Sequence, residues 1–222
     1  MSWIQRVFLA SVAKKWWMGI TGLGLCGFIA FHLTANLLFF LGPNALNKFS
    51  WALEKIPILA IIEAALYALF LLHIFLGVVL WFDNRRARAG SYKKYGTKKG
   101  GVETTVSKTM IWSGLVVLVF IALHVTVFRF GTVDHDAFGL KDFHSKNVDV
   151  FSNGLYSLWY VLGVIVLAFH VSHGFQSAFR SIGVNHDVYT PALEWISRAA
   201  GVIVGVGFGS IPIYVYLFLR GA

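Results

Sequence analysis

Five apolar runs, each about as long as a bilayer is thick, decide what this chain can fold into. They cover residues 16–41, 58–82, 109–128, 155–179 and 199–219. Of 222 residues, 57% are hydrophobic and 13% charged, and the charges fall mainly between the runs. Within lipid every backbone amide must find its partner inside the protein, so runs of this length become helices. A transmembrane barrel would alternate polar and apolar residues in segments of roughly ten, and these runs do not alternate. Little chain remains between them. The expectation is one all-α integral membrane domain over residues 1–222, with five transmembrane helices and no soluble domain.

Basic residues divide unevenly between the two ends of these helices. Arg6, Lys14, Lys15, Arg85, Arg86, Arg88, Lys93, Lys94, Lys98, Lys99, Lys108, Arg180 and Arg198 fall on one side, 13 in all. Lys48, Lys55, Arg129, Lys141, Lys146 and Arg220 fall on the other, six in all. The positive-inside rule then places the N-terminus in the cytoplasm and, with five crossings, the C-terminus outside. The inner loop 83–108 is strongly basic and reads as a solvated stop-transfer loop or as a docking surface for a soluble partner or anionic lipid. The outer loop 131–153 carries Asp134, Asp136, Asp142 and Asp149 and is near neutral. Nucleic acid is a poor partner for this pattern, because the basic residues flank spans and no nucleic-acid motif accompanies them. The run after Lys15 is too long for a signal-peptide core and lacks a small-residue cleavage site. Residues 2–13 read either as an amphipathic helix on the membrane surface or as a simple lead-in.

Four spans carry a histidine deep in the apolar stretch: His32, His73, His124 and His170. Any one of them alone reads best as a hydrogen-bonded core residue. Four together ask for a site, since ionisable side chains within a membrane are costly and usually functional. Depth can be counted from the nearest inner charge. His73 lies ten residues before Asp83 and His170 ten before Arg180, while His32 lies 17 after Lys15 and His124 16 after Lys108. At ~1.5 Å per residue this gives an inner pair, His73 with His170, and an outer pair, His32 with His124, about 10 Å apart along the membrane normal. Imidazole is a standard axial ligand of haem iron, so two levels of paired imidazoles predict two stacked b haems. A metal-transport site would instead cluster its ligands at one level, often with carboxylates or thiolates. Cys26 is the single cysteine, so no Cys-x-x-Cys-His motif exists and any haem is held non-covalently.

His173, three residues from His170, is the alternative ligand in the fourth span. His135, His144 and His186 fall between spans and read as solvated. Gly77 and Gly174 each follow a histidine by four residues, which places them on its face of the helix and suggests room for a flat ring. Gly201, Gly205 and Gly209 repeat every four residues in the histidine-free fifth span and read as helix packing.

The stretches Phe31-His32-Leu33-Thr34-Ala35-Asn36-Leu37, Leu72-His73-Ile74-Phe75-Leu76-Gly77, Leu123-His124-Val125 and Phe169-His170-Val171-Ser172-His173-Gly174, in this order and spacing, resemble a known family. It is the single-chain cytochrome b membrane anchor of succinate dehydrogenases and fumarate reductases, with five helices bundled around two haems. The resemblance covers nearly the whole chain. It implies that His73 and His170 hold an inner haem and His32 and His124 an outer one. It also implies flavoprotein and iron–sulfur subunits on the cytoplasmic side of a bacterial inner membrane, in a possible dimer of heterotrimers. The implied role is electron transfer between these partners and a membrane quinone, such as menaquinone, linking the tricarboxylic acid cycle to the respiratory chain. The dicarboxylate chemistry would belong to the flavoprotein.

Quinone chemistry needs protons, and Glu63 is the one acid well inside a span. Burial would suit it to proton exchange, whereas a position one or two turns from the surface would leave it hydrated. Three other readings remain open at this stage. They are the di-haem subunit of a membrane formate dehydrogenase or hydrogenase, a membrane metal transporter, and a structural anchor whose histidines only pack.

Overall fold

A computed structural model describes residues 11–91 and 101–221, with side chains placed over 12–86 and 109–221. Helix α1 spans Ser11–Leu37 and continues through a 3-10 turn, Leu38–Leu41. A short α2, Pro43–Glu54, leads to α3, Leu59–Ser91. Then follow α4 (Gly101–Phe128), a short α5 (Phe143–Ser152), α6 (Gly154–Ser181) and α7 (Thr190–Tyr214), which ends in a π turn, Val215–Leu219. The surface-helix reading of residues 2–13 lies almost wholly outside the described residues. So do the side chains of Arg6, Arg88, Lys93, Lys94, Lys98, Lys99 and Lys108.

Five of these helices, α1, α3, α4, α6 and α7, are long and apolar enough to cross a membrane. Their apolar residues divide between core and outside. Phe169 is 72% exposed while its near neighbour Val171 is 6% exposed. A helix with apolar residues on every face is stable only when its outer face meets lipid or more protein, and these outer faces fit lipid. The fifth span begins at Thr190, nine residues before the expected 199. Pro191 opens it in the first helical turn, where a missing N–H costs nothing. The hydropathy count stopped at Arg198, but the helix continues past that charge.

Close approach between helices is made by glycine. A Cβ at Gly201 would meet Ser172 Cβ at 2.6 Å and the Ala168 carbonyl oxygen at 2.8 Å, and one at Gly205 would meet Ala168 Cβ at 3.2 Å. These two glycines press α7 against α6, as small residues do in membrane bundles. Gly209, third in the same series, has nothing within 4 Å of such a position and does not share the role. Buried Ser197 adds a hydroxyl donated to the Ser172 carbonyl. Helix α1 packs against α3, α6 and α7, and α4 packs against α6. Cys26 is half-buried beside the Val117, Leu167, Val171 and Val204 cluster, as a small packing residue.

The two ends of the bundle are closed differently. At the basic end Lys14 pairs with Asp83, tying α1 to α3. There too Arg180 and Gln176 of α6 both bond the Glu194 carboxylate of α7, at 3.0 and 2.9 Å. The opposite end carries a polar cap built on Asn47, which is 1% exposed. Its Nδ2 donates to Asp142 at 2.9 Å and Asp136 at 3.3 Å, and its Oδ1 accepts from the His144 backbone N–H at 3.2 Å. Asp142 caps α5, accepting from the Ser145 backbone N–H at 3.0 Å and its hydroxyl at 2.8 Å. Burial would raise the Asp142 pKa, but bonds from the Ser145 backbone, Asn47 and the Ser145 hydroxyl outweigh it and hold the carboxyl below its usual range. The segment 131–153, expected as an open loop, therefore contains a capped helix. His144 is correspondingly not a solvated loop histidine. It is half-buried on α5 and stacks on Phe39, with ring centres 4.5 Å apart.

Candidate functional site

The bundle brings the four span histidines together two by two. His73 of α3 faces His170 of α6, with ring centres 6.5 Å apart and planes at 73°. His32 of α1 faces His124 of α4, at 5.8 Å and 84°. Two imidazoles bound to one ion from opposite sides, each at about 2.0 Å, have ring centres roughly 6 Å apart. In the fourth span the ring that meets His73 is that of His170; His173 lies one turn on and half-buried. His135 and His186 are exposed, and His186 Nδ1 accepts from the Val188 N–H at 3.2 Å.

The pair nearer the basic end is built from a repeated set of residues that sequence reasoning missed. Thr21 Oγ1 of α1 lies 3.2 Å from His73 Nδ1, and Ser113 Oγ of α4 lies 3.0 Å from His170 Nδ1. Each is followed by a glycine against the same ring. A Cβ at Gly22 would stand 3.5 Å from His73 Cε1, and one at Gly114 would stand 3.5 Å from His170 Cε1. Alanine would just touch there; anything larger would push the imidazole aside. The expected glycines, Gly77 and Gly174, look elsewhere: a Cβ on them would meet Met18 at 3.6 Å and Met110 at 3.8 Å. The reason is geometric. Spacing of i, i+4 finds the face that a histidine shares with its own helix, but the bed under its ring comes from the neighbouring helix.

The missed signal is legible in retrospect. Met18-x-x-Thr21-Gly22 followed by His32 recurs as Met110-x-x-Ser113-Gly114 followed by His124, with identical spacing. His73 with Gly77 recurs as His170 with Gly174. The helix pairs α1–α3 and α4–α6 are thus two copies of one arrangement. Eleven residues separate Thr21 from His32 and Ser113 from His124. Eleven residues are just over three full turns, so both polar groups share one face, about 16 Å apart in height. The two levels are accordingly further apart than the 10 Å obtained by counting from charges. Lys14 sits seven residues from the Thr21 level, whereas its partner Asp83 sits ten from His73. The long lysine side chain reaches outward to the carboxylate, so charges do not mark one plane.

The pair nearer the cap has a different surround. Phe28 stacks on His32 at 5.3 Å, and Phe208 lies at 5.6 Å. Phe120, Phe128 and Tyr160 surround His124 at 6.1, 5.3 and 5.9 Å. His124 Nδ1 is buried and has no hydrogen-bond partner, as are Tyr160 Oη and Trp159 Nε1.

Glu63 lies on α3 near the capped end, where Arg129 Nη2 donates to its carboxylate at 3.0 Å. Both side chains are partly exposed. Among the described residues no three or more His, Cys, Asp or Glu side chains converge as the first shell of a bare metal ion would. The donor set fits a macrocyclic metal group that supplies its own equatorial ligands and needs only two axial imidazoles. Compared with known protein families, curated proteins and solved structures, the chain matches none.

Proposed function

We propose that this chain is the di-haem cytochrome b membrane anchor of a succinate:quinone oxidoreductase. The observation that carries the reading is the pair of facing imidazoles at each of two levels in a helix bundle of membrane-crossing length. His73 and His170 would hold the haem nearer the basic face, and His32 and His124 the one nearer the cap. Held between two imidazoles, each b haem would supply one-electron transfer and would leave no open site for oxygen.

The protein's own residues do the rest. Apolar helices keep water from both levels. The basic face, with Arg85 and Arg86 exposed at the end of α3, would receive the iron–sulfur subunit and, behind it, the flavoprotein. The positive-inside rule favours a cytoplasmic side for that face, and the resemblance implies a bacterial inner membrane. A membrane quinone, menaquinone in the family the sequence resembles, would exchange electrons with the chain. Glu63 remains the candidate for its proton, and its bond to Arg129 makes any such role that of an ion pair at the membrane edge.

The test is gentle purification followed by a reduced-minus-oxidised absorbance spectrum, haem quantification and identification of co-purifying subunits. We expect a cytochrome b spectrum, two haems per chain and a flavin-bearing partner. A colourless preparation despite full haem supply overturns the reading. A molybdenum- or nickel-bearing partner would instead assign the chain to a formate dehydrogenase or hydrogenase.

A further inference from the structure

We infer that Thr21 and Ser113 are positioning residues for the histidine pair nearer the basic face: each hydroxyl accepts the Nδ1–H of His73 or His170 and so presents Nε2 of that ring as the ligand. The inference rests on the di-haem reading and deepens it.

The direction of these two hydrogen bonds follows from where the hydroxyl protons go. Thr21 Oγ1 has two helix carbonyls within reach, Trp17 O at 2.9 Å and Met18 O at 3.1 Å. Ser113 Oγ has Met110 O at 3.1 Å. A hydroxyl carries one proton and two lone pairs. With its proton given back to the helix, it faces the imidazole with a lone pair, and the ring nitrogen opposite it must be the donor. A neutral imidazole that donates from Nδ1 has its free lone pair on Nε2. Both rings of the pair are therefore set in one tautomer, by the same device, from two different helices. Thr21 is 1% exposed, so water does not compete for its oxygen. Gly22 and Gly114, where an added Cβ would stand 3.5 Å from the Cε1 atoms of the same rings, complete the setting.

The other pair lacks this device: the polar neighbour of His32 is Asn36 of its own helix, whose Nδ2 donates to the His32 carbonyl at 2.8 Å and lies 3.4 Å from both ring nitrogens, so it singles out neither. His124 Nδ1 is buried and has no partner at all. An acceptor on the far nitrogen raises the basicity of a metal-bound imidazole and fixes its orientation. A more basic axial ligand favours ferric over ferrous iron. Thr21 and Ser113 thus lower the potential of the basic-face haem selectively.

The experiment is a redox titration of the haem spectrum in the purified complex, for Thr21→Val, Ser113→Ala and the double variant. Thr21→Val keeps the shape of the side chain and removes the hydroxyl, both the acceptor and its bond back to the helix. Thr21→Ser should restore wild-type behaviour, and Thr34→Val serves as control, since Thr34 is exposed and bonds only its own helix at Ala30. We expect the reduced-to-oxidised ratio of one haem at fixed potential to rise about tenfold in the double variant, ~59 mV for a one-electron couple. The ferric spin-resonance signal of that haem should shift as its ligand planes loosen, while the second haem keeps its potential. Haem retained at wild-type level with both potentials and signals unmoved overturns the inference and leaves the di-haem reading intact. Equal shifts in both haems also overturn it. A wild-type preparation without haem removes the reading on which it rests.

Discussion

The two histidine pairs have nearly the same internal geometry and almost opposite surroundings. Ring centres are 6.5 Å apart in one and 5.8 Å in the other, with planes far from parallel in both. Around His73 and His170 the neighbours are hydroxyls and glycines. Around His32 and His124 they are mainly aromatic rings, beneath a polar cap, with the Asn36 amide beside His32. Hydrogen bonds specify which nitrogen a ring presents. Aromatic packing specifies where the ring sits and excludes water, and is silent about its tautomer. One pair of facing imidazoles repeated on two backgrounds is a way to obtain two sites of unequal properties from one repeated pair of helices.

The sharpest way to break this comparison is to remove one imidazole at a time. His73→Ala and His170→Ala should each lose the same haem, and His32→Ala and His124→Ala the other, with the total falling from two to one per chain. Pigment stoichiometry and the redox titration of what remains are the measurements. If His73→Ala and His32→Ala abolished the same component, the pairing itself would be wrong.

The next test strikes the aromatic level alone. A Cβ at Gly163 would lie 2.3 Å from Phe120 Cδ2, and Phe120 is the ring stacked on His124. Gly163→Ala must therefore displace Phe120 from its place against the imidazole, an overpacking cost of about 1–3 kcal/mol. The cap-side haem should be lost at lower temperature than in wild type, with the basic-side haem unaffected. Simultaneous loss of both would show that the two levels are one cooperative unit.

How much of this was readable from sequence depended on the kind of information each feature carries. Five spans and the membership of each histidine in a span follow from length and hydropathy, which are properties of single segments. The order of depths also survived, because it needs only residue counts along each helix. What neighbours contribute to one another was not readable that way. The beds under His73 and His170 come from Gly22 and Gly114 on other helices, and a search along each histidine's own helix pointed to Gly77 and Gly174. Helices α2 and α5 are too short to register as spans, and their amphipathic faces matter only once Asn47 and Asp142 meet. The repeat of Met-x-x-Thr/Ser-Gly before His32 and His124 was present in the sequence throughout. It gained meaning only when both copies were found touching a histidine.

A smaller effect is expected from the cap. Asn47→Ala removes a buried side chain that makes three hydrogen bonds, two of them to carboxylates, and should cost about 1–3 kcal/mol. The loss should appear as faster hydrogen exchange in residues 43–54 and 143–152 and earlier release of the cap-side haem. Exchange accelerating equally around Thr21 would contradict a cap that serves one level.

The mildest probe is acid. Asp142 is held below its usual range in the folded cap, while in the unfolded chain a carboxyl titrates near ~3.9. Its folded pKa is the lower of the two, so it contributes stability that is complete above ~3.9 and lost as pH falls through the folded value. At pH 7–8 the exchange rates of residues 143–152 should be set by base catalysis alone; burial holds the His144 imidazole below its ordinary value, so a first, small loss of protection should come as pH falls through ~6.5. Below about pH 4 protection should decline further, and the cap-side haem should become the first to dissociate. Asp142→Asn keeps an oxygen able to cap α5 and takes up no proton in this range, so its acid response should shrink. A response of full size in that variant would move the titrating group to Asp136, the other carboxylate bonded by Asn47, and would shift the weak point of the cap from the start of α5 to the turn before it.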